Sequence, residues 1–269
     1  MTDPLYAGSG QAVLVQDKGA KQTMEMSSLT WLRADYHLPA TYSCRVPMSS
    51  ITSALALPAP GPATVRLALI RTGIEVFGIE YVQSVLFPHI CAMPIHIRPP
   101  ERVALTSHVL RAYKVEDKTQ ETNEAPIFRE MVHAQGPVTV YLQVPSHLQE
   151  SFSSILRMIG YWGQASSLAW CTEISADAPL TQECVVPLRL LSGHAPLRPF
   201  FSSILSEFRN GSVTWKEVMP IVGERKANPL RLDIYVWPLM LAERHGRGKL
   251  FVRTPFGELG SDGPNKDNG

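Results

Sequence analysis

Between Val138 and Val144 the chain sets Val138, Val140, Leu142 and Val144 in alternation with Thr139, Tyr141 and Gln143, the two-residue period of a strand. Directly after it, Ser146 and Gln149 have the spacing of a capping box, and Leu148, Phe152, Ile155, Leu156 and Ile159 recur at helical spacing up to Gly160. A strand that hands over to an amphipathic helix so abruptly needs a layered architecture in which the apolar stripe of the helix covers a sheet. The same succession occurs earlier. Leu32, Ala34, Tyr36 and Leu38 alternate, prolines at 39, 47, 58, 60 and 62 impose an irregular connection, and a helix is predicted from Pro62 to near Gly78. Its packed face is read as Val65, Leu69 and Phe77, with Gly73 and Val76 between them.

The intervening segments complete a pattern. Tyr81 to Ile97 is apolar and aromatic and is predicted as one or two strands interrupted at Pro88 and Pro94, before Arg98-Pro99-Pro100-Glu101-Arg102 breaks the run. Lys114 to Glu124 has no packing face and is predicted to be a solvated tip between two hairpin arms, Val103 to Tyr113 and Ile127 to His133. Past Gly160 and Gly163, Leu168 to Ile174 is apolar and strand-like. Strand, helix, strand, long hairpin, strand, helix, strand is the split βαβ order of ferredoxin-like and RNA-recognition-motif folds, an α+β class. From about residue 180 the chain adds a strand-like Cys184 to Leu191, a helix-like Phe200 to Phe208, and strands Leu230 to Trp237 and Lys249 to Arg253. These form a smaller β-rich region over 179–256, as a subdomain or as an extension of the first sheet. Residues 1–27 read as a flexible leader and 257–269 as a disordered tail.

Composition narrows the function classes. With 45% apolar and 18% charged residues the chain reads as globular, and no apolar run approaches the roughly 20 residues of a membrane span. The leader lacks a signal-peptide core, so a cytoplasmic location without membrane contact is expected. The four cysteines, at 44, 91, 171 and 184, have no CxxC spacing, which points to no metal site. A formal charge of +1 does not mark a protein that grips nucleic acid alone through a broad basic face. Any such contact is local or shared with other subunits.

Phosphate loops, dinucleotide fingerprints, HExxH and nucleophile elbows are absent from the sequence, so no cofactor is expected. One trio, His108, Tyr113 and Lys114, has the residue types of metal-independent RNA cleavage, which needs a base, an acid and a cation. Features that suit RNA binding are more numerous. The helix starting at Pro62 would aim free N–H groups at the loop before it, with Arg45 and Arg66 flanking. Tyr161 and Trp162 sit between two glycines, where either a base stacks on them or they cover the core. Arg98, Arg102, Arg111 and Lys114 on the first hairpin arm and Arg129 on the second could follow a phosphate backbone.

The strand followed by Pro39 to Pro47, the helix from Pro62 through Thr64-Val65-Arg66-Leu67-Ala68-Leu69, Phe128-Arg129-Glu130 before Val138 to Leu142, and Ile159-Gly160-Tyr161-Trp162-Gly163 resemble the Cas-five type of CRISPR-associated RAMP protein. The resemblance runs over about residues 28 to 175. It implies an RRM-like RAMP core over 28–178 with a thumb hairpin inserted at about 98–128. It also implies a subunit that caps one end of a type I Cascade complex, holds the 5′ handle of the crRNA, and adjoins the repeated backbone subunit and the large subunit. Target DNA would be met only through the complex. Most members are not nucleases, whereas one branch cuts the precursor RNA. On this resemblance Arg45 and Arg66 would position phosphates, the hairpin cations would clasp the backbone, and Tyr42 or Tyr161 would stack on bases. In relatives the loop after the second helix often carries basic residues between its glycines; here it carries Tyr161-Trp162 and then Gln164.

Overall fold

The structure, a computed structural model, describes residues 28–50, 53–115, 122–176, 182–191, 200–209, 213–219 and 228–256. The predicted leader, the tail and the centre of the hairpin tip lie outside the described residues. In chain order the strands and helices are β1 (Leu29–His37), β2 (Cys44–Arg45), β3 (Ser53–Ala54), β4 (Ala56–Leu57), α1 (Pro62–Phe77), α2 (Ile79–Tyr81), α3 (Phe87–Ala92), β5 (Ile95–Arg98), β6 (Arg102–Val115), β7 (Thr122–Gln135), β8 (Val138–Pro145), α4 (Gln149–Met158), β9 (Trp170–Ala176), β10 (Val186–Pro187), β11 (Phe200–Phe208), α5 (Trp215–Val218), β12 (Leu230–His245) and β13 (Gly248–Arg253). The architecture is mixed α+β and rich in sheet. No helix among the described residues is long and apolar enough to cross a membrane.

A four-stranded sheet runs in the order β5-β8-β1-β9 with every neighbouring pair antiparallel. Leu32, Ala34 and Tyr36 of β1 are buried on the helix side, where the Tyr36 hydroxyl donates to the Leu156 carbonyl at 2.7 Å. The opposite side of the sheet carries polar groups in sequence across strands. Thr139 Oγ1 donates to Asp35 at 2.6 Å and accepts from Arg98, whose guanidinium also lies 3.5 Å from Glu183.

Helix α1 starts at Pro62 and stops at Gly78, whose φ of +84° is open to glycine and whose N–H donates to Ile74 O at 2.9 Å. Val65, Leu69 and Gly73 are buried as predicted, but Val76 and Phe77, at the end of α1, are over a third exposed. At Gly73 a Cβ would lie 3.1 Å from Val82 Cγ2 and 3.3 Å from Ile155 Cδ1, which is how closely α4 approaches.

The segment 81–97 departs from expectation. It is helical through Ala92, and only Ile95–Arg98 is strand. Val82, Leu86 and Ile90 are fully buried at four-residue spacing, and one widened helical turn over Val82–Leu86 precedes Pro88, which has no N–H to donate. The capping box at Ser146 is not formed either. Ser146 turns its hydroxyl to Ser28, a tight turn occupies Ser146–Leu148, and α4 has no side-chain cap. A true box closes instead between Thr214 and Glu217 at α5, where hydrogen bonds from Thr214 hold the Glu217 carboxyl below its usual range.

The second sheet runs β10-β12-β13-β6-β7-β3, with β11 on the other edge of β12. It joins the C-terminal strands to the hairpin, since β13 pairs antiparallel with β6. Phe200–Phe208, read as helical, is a strand. Its apolar residues fit a four-residue period, but pairing with β12 from Phe208↔Leu230 to Phe200↔Met240 decides the conformation. Within Cys184 to Leu191 only Val186–Pro187 is strand, and a tight turn follows at Leu188–Leu190. Helix α1 packs against both α4 and β11. One apolar cluster therefore runs from Leu32 and Ile155 through Leu69 to Leu205 and Trp237.

Candidate nucleic-acid interface

The hairpin arms are longer than the sequence suggested, pairing from Arg102↔Gln135 to Val115↔Thr122. Directly opposed residues share a face. One face therefore carries Arg102, Ala104, Thr106, His108 and Leu110 with Ile127, Arg129, Met131, His133 and Gln135. It holds four basic residues and, among the described side chains, no carboxylate. Arg102, His108 and His133 are exposed and Arg129 is partly so. Neither arginine makes an ion pair with a described residue. The other face is different. Val103, Leu105 and Val132 enter the core there, Glu130 is buried 3.8 Å from Lys249, and Arg111 pairs with Glu124 at 3.1 Å. The ribbon thus segregates charge across its two faces. His133 was not singled out in the sequence; the strand period places it there once Arg102↔Gln135 fixes the register.

Three predicted contacts are structural instead. Arg66 is 6% exposed; its Nε donates to Glu207 at 2.8 Å, its Nη2 to Met93 O at 2.9 Å, and its Nη1 to Ile90 O. Tyr42 is 1% exposed, bridges Val132 through both backbone groups and donates its hydroxyl to Pro58 O; burial raises its phenol well above the usual range. Trp162 is fully buried, edge-on to Tyr36 at 4.8 Å. None of the three reaches solvent, so none serves as a phosphate or base contact in this conformation. The start of α1 is closed as well. Residues 56 to 63 are buried, Pro62 has no N–H, and the first backbone bond runs from Val65 N to Gly61 O at 3.1 Å. Arg98 is largely spent on Thr139 and Glu183.

Arg45 is exposed on β2, opposite Ala56. In the glycine-flanked loop Tyr161 and Gln164 remain at the surface, and Gly163 takes φ +72°. The loop is pinned by Trp162 N to Ser167 O at 3.0 Å and Ala169 N to Gly160 O at 3.0 Å. Arg71, which the sequence did not single out, places its guanidinium carbon 3.6 Å from the centroid of the Tyr161 ring. Its helical spacing gave no signal, because its partner lies 90 residues on.

His108, Tyr113 and Lys114 are not brought together. His108 sits 2.9 Å from Thr106 Oγ1. Tyr113 takes the opposite register position, and Lys114 lies six residues along β6, roughly 20 Å away. His96, half-buried on β5, is held neutral by burial, which lowers its pKa to about 4.

No family profile matches the chain. The chain is 30% identical over 86 residues to the CRISPR-associated protein Cas5 of Archaeoglobus fulgidus, which covers 32% of this chain. The match spans 38% of that relative's length. The resemblance to the Cas-five type read from the sequence is thus borne out by a curated protein of that name. A crystal structure of a CRISPR protein from Archaeoglobus fulgidus superposes on 84% of this chain and 92% of that one, with a TM-score of 0.41 and 14% identity. At that score the superposition carries no inference about fold or activity.

Proposed function

We propose that this chain is a Cas5-type, RNA-binding subunit of a type I CRISPR effector complex that holds the 5′ handle of the crRNA. The observation that carries the reading is the acid-free basic face of the β6–β7 hairpin, where Arg102, His108, Arg129 and His133 stand in register with no carboxylate among the described side chains. A narrow stripe of two arginines flanked by two histidines on a nearly neutral chain suits a few phosphate contacts made inside an assembly. The order β5-β8-β1-β9, connected β1-α1-β5 and β8-α4-β9, supports a ferredoxin-like RAMP core over 28–178, with β6 and β7 as the inserted thumb. The C-terminal strands then brace the thumb through β13. The backbone subunit and the large subunit are the partners this reading implies.

The test is to purify the tagged chain from cells that also express its neighbouring genes and to sequence the RNA that accompanies it. Short RNAs sharing one 5′ end are expected, together with larger protein partners. Partners recovered without RNA would sink the reading.

A further inference from the structure

Strand β11 has β12 on one edge and, among the described residues, no strand on the other. Such an edge presents unpaired N–H and C=O groups, and proteins ordinarily guard it with charge, proline or a covering segment. The other open edges longer than two residues follow that rule. β9 shows the exposed Glu173, and β5 carries Arg98 and is met at Ile97 O by Val185 N, 2.8 Å away. The free stretches of β6 and β7 bear Arg111 and Glu124, and the two ends of β12 bear Arg231 with Asp233 and Glu243 with Arg244. β11 has no such guard. Its side chains that reach solvent are Phe201, Ser202, Ser203, Ile204 and Ser206, none of them charged, and its one carboxylate, Glu207, is buried on Arg66.

The order of residues selects the partner. Ser203 accepts from Trp237 Nε1 at 2.8 Å on the side of the core, so Ser202, Ile204 and Ser206 lie on the outer face. That face reads the same in both directions about Ile204. We propose that two copies of this chain pair β11 with β11, antiparallel about a two-fold axis at Ile204, and so join their second sheets into one. In this register Ser202 meets Ser206 of the second copy, Ile204 meets its own equivalent, and Glu207 meets Phe201, so no like charges are opposed. Ile204 is 39% exposed, and Ile234, directly opposite it on β12, is 46% exposed. The pairing sets these residues and their equivalents in one cross-strand row of four isoleucines, which covers the open flank of Ile204. The proposal goes beyond the RNA-binding reading and does not rest on it.

The test is sedimentation equilibrium of the full chain from about 1 to 200 μM, the range suited to a small interface. A monomer–dimer equilibrium is expected. Ile204→Lys sets two like charges face to face on the axis and should weaken the dimer by about tenfold or more. Ile234→Lys, on the same face but one strand back from the edge, should weaken it far less. Equal losses from the two would mean that the copies meet face to face, which overturns the edge pairing. A disulfide reads the register. Cys44 and Cys184 are buried, so the background is Cys91→Ser/Cys171→Ser. There Ile204→Cys should give a covalent dimer on mild oxidation, because directly opposed Cα atoms lie about 4.5–5.5 Å apart. Ile234→Cys should not, since three strand spacings, roughly 14 Å, separate it from its equivalent. A wild-type chain that stays monomeric over the whole range, or an Ile204→Cys chain that cross-links no faster than Ile234→Cys, overturns the proposal.

Discussion

Nε of Arg66 on α1 lies 2.8 Å from Oε1 of Glu207 on β11, and their side chains are only 7% and 11% exposed. The two residues are 141 positions apart, and each has further obligations. Arg66 also serves the carbonyls of Ile90 and Met93, and Glu207 accepts from Phe208 N at 2.7 Å. The pair ties α1, the end of α3 and the second sheet together at one point.

Removing one partner leaves the other charged, buried and unpaired. Arg66→Ala and Glu207→Ala should each cost about 3–5 kcal/mol in urea unfolding. The double variant Arg66→Met/Glu207→Leu should recover part of that loss, though not all, because two carbonyls lose their donor. A single variant as stable as the wild type would remove the pair from any account of this fold.

On the hairpin, Arg102→Ala and Arg129→Ala should weaken RNA binding and flatten its dependence on salt. Each lost phosphate contact lowers the log–log slope by about 0.7. Arg111→Ala, on the other face and already paired to Glu124, should leave the slope unchanged. Filter binding at four salt concentrations decides it. Equal slopes for all three variants would contradict a one-sided interface.

His96 makes stability depend on pH. Burial lowers its folded value to about 4, against an ordinary 6.5. Between those values the unfolded chain takes up a proton that the folded chain refuses, so stability is full above pH 6.5 and falls as the pH drops towards 4. Allowing for the partial exposure of the ring, the loss should be roughly 2 kcal/mol. His96→Gln should show a shallower decline over that window in urea midpoints taken at half-unit steps. Parallel curves would show that other groups set the acid limb.

Gly163 has φ +72°, yet a Cβ there would come no nearer than 3.7 Å to Thr64 Cγ2. The cost of Gly163→Ala is therefore backbone strain alone, about 1–2 kcal/mol. Gly160 has open space and no positive φ, so Gly160→Ala should be nearly neutral. Thermal melts of the two variants should differ by a few degrees, roughly 2–4 °C per kcal/mol for a chain of this size.

Where a local period and its terminator agreed, the element was legible. The alternation of β1 and β8, and the stripes of α1 and α4 ending at Gly78 and Gly160, needed no tertiary knowledge. Residues 81–97 misled because Pro88 and Pro94 read as breakers, while the buried row Val82, Leu86, Ile90 needed one widened turn to stay in phase. Phe200–Phe208 misled in the opposite sense, since only β12 makes it a strand. At the site, Arg129 and Arg66 look alike as letters. What separates them is Glu207 beneath one and solvent beside the other, and neither is a local property. The same holds for Trp162 and Tyr161, adjacent in sequence and on opposite sides of the surface.

The β6–β7 ribbon is anchored unevenly. β13 holds β6 from Arg102 to Thr106, and β3 holds β7 at Phe128 and Arg129, so beyond these points each strand has one neighbour. Mechanically this is a cantilever, clamped at its root by the C-terminal strands and projecting roughly 30 Å from Thr106 to Val115. A load on the far end is felt at the clamp, where Phe251 of β13 sits in the core. Any load on the β6–β7 ribbon therefore divides at its root, between the C-terminal strands through β13 and the four-stranded sheet through the short links to β5 and β8.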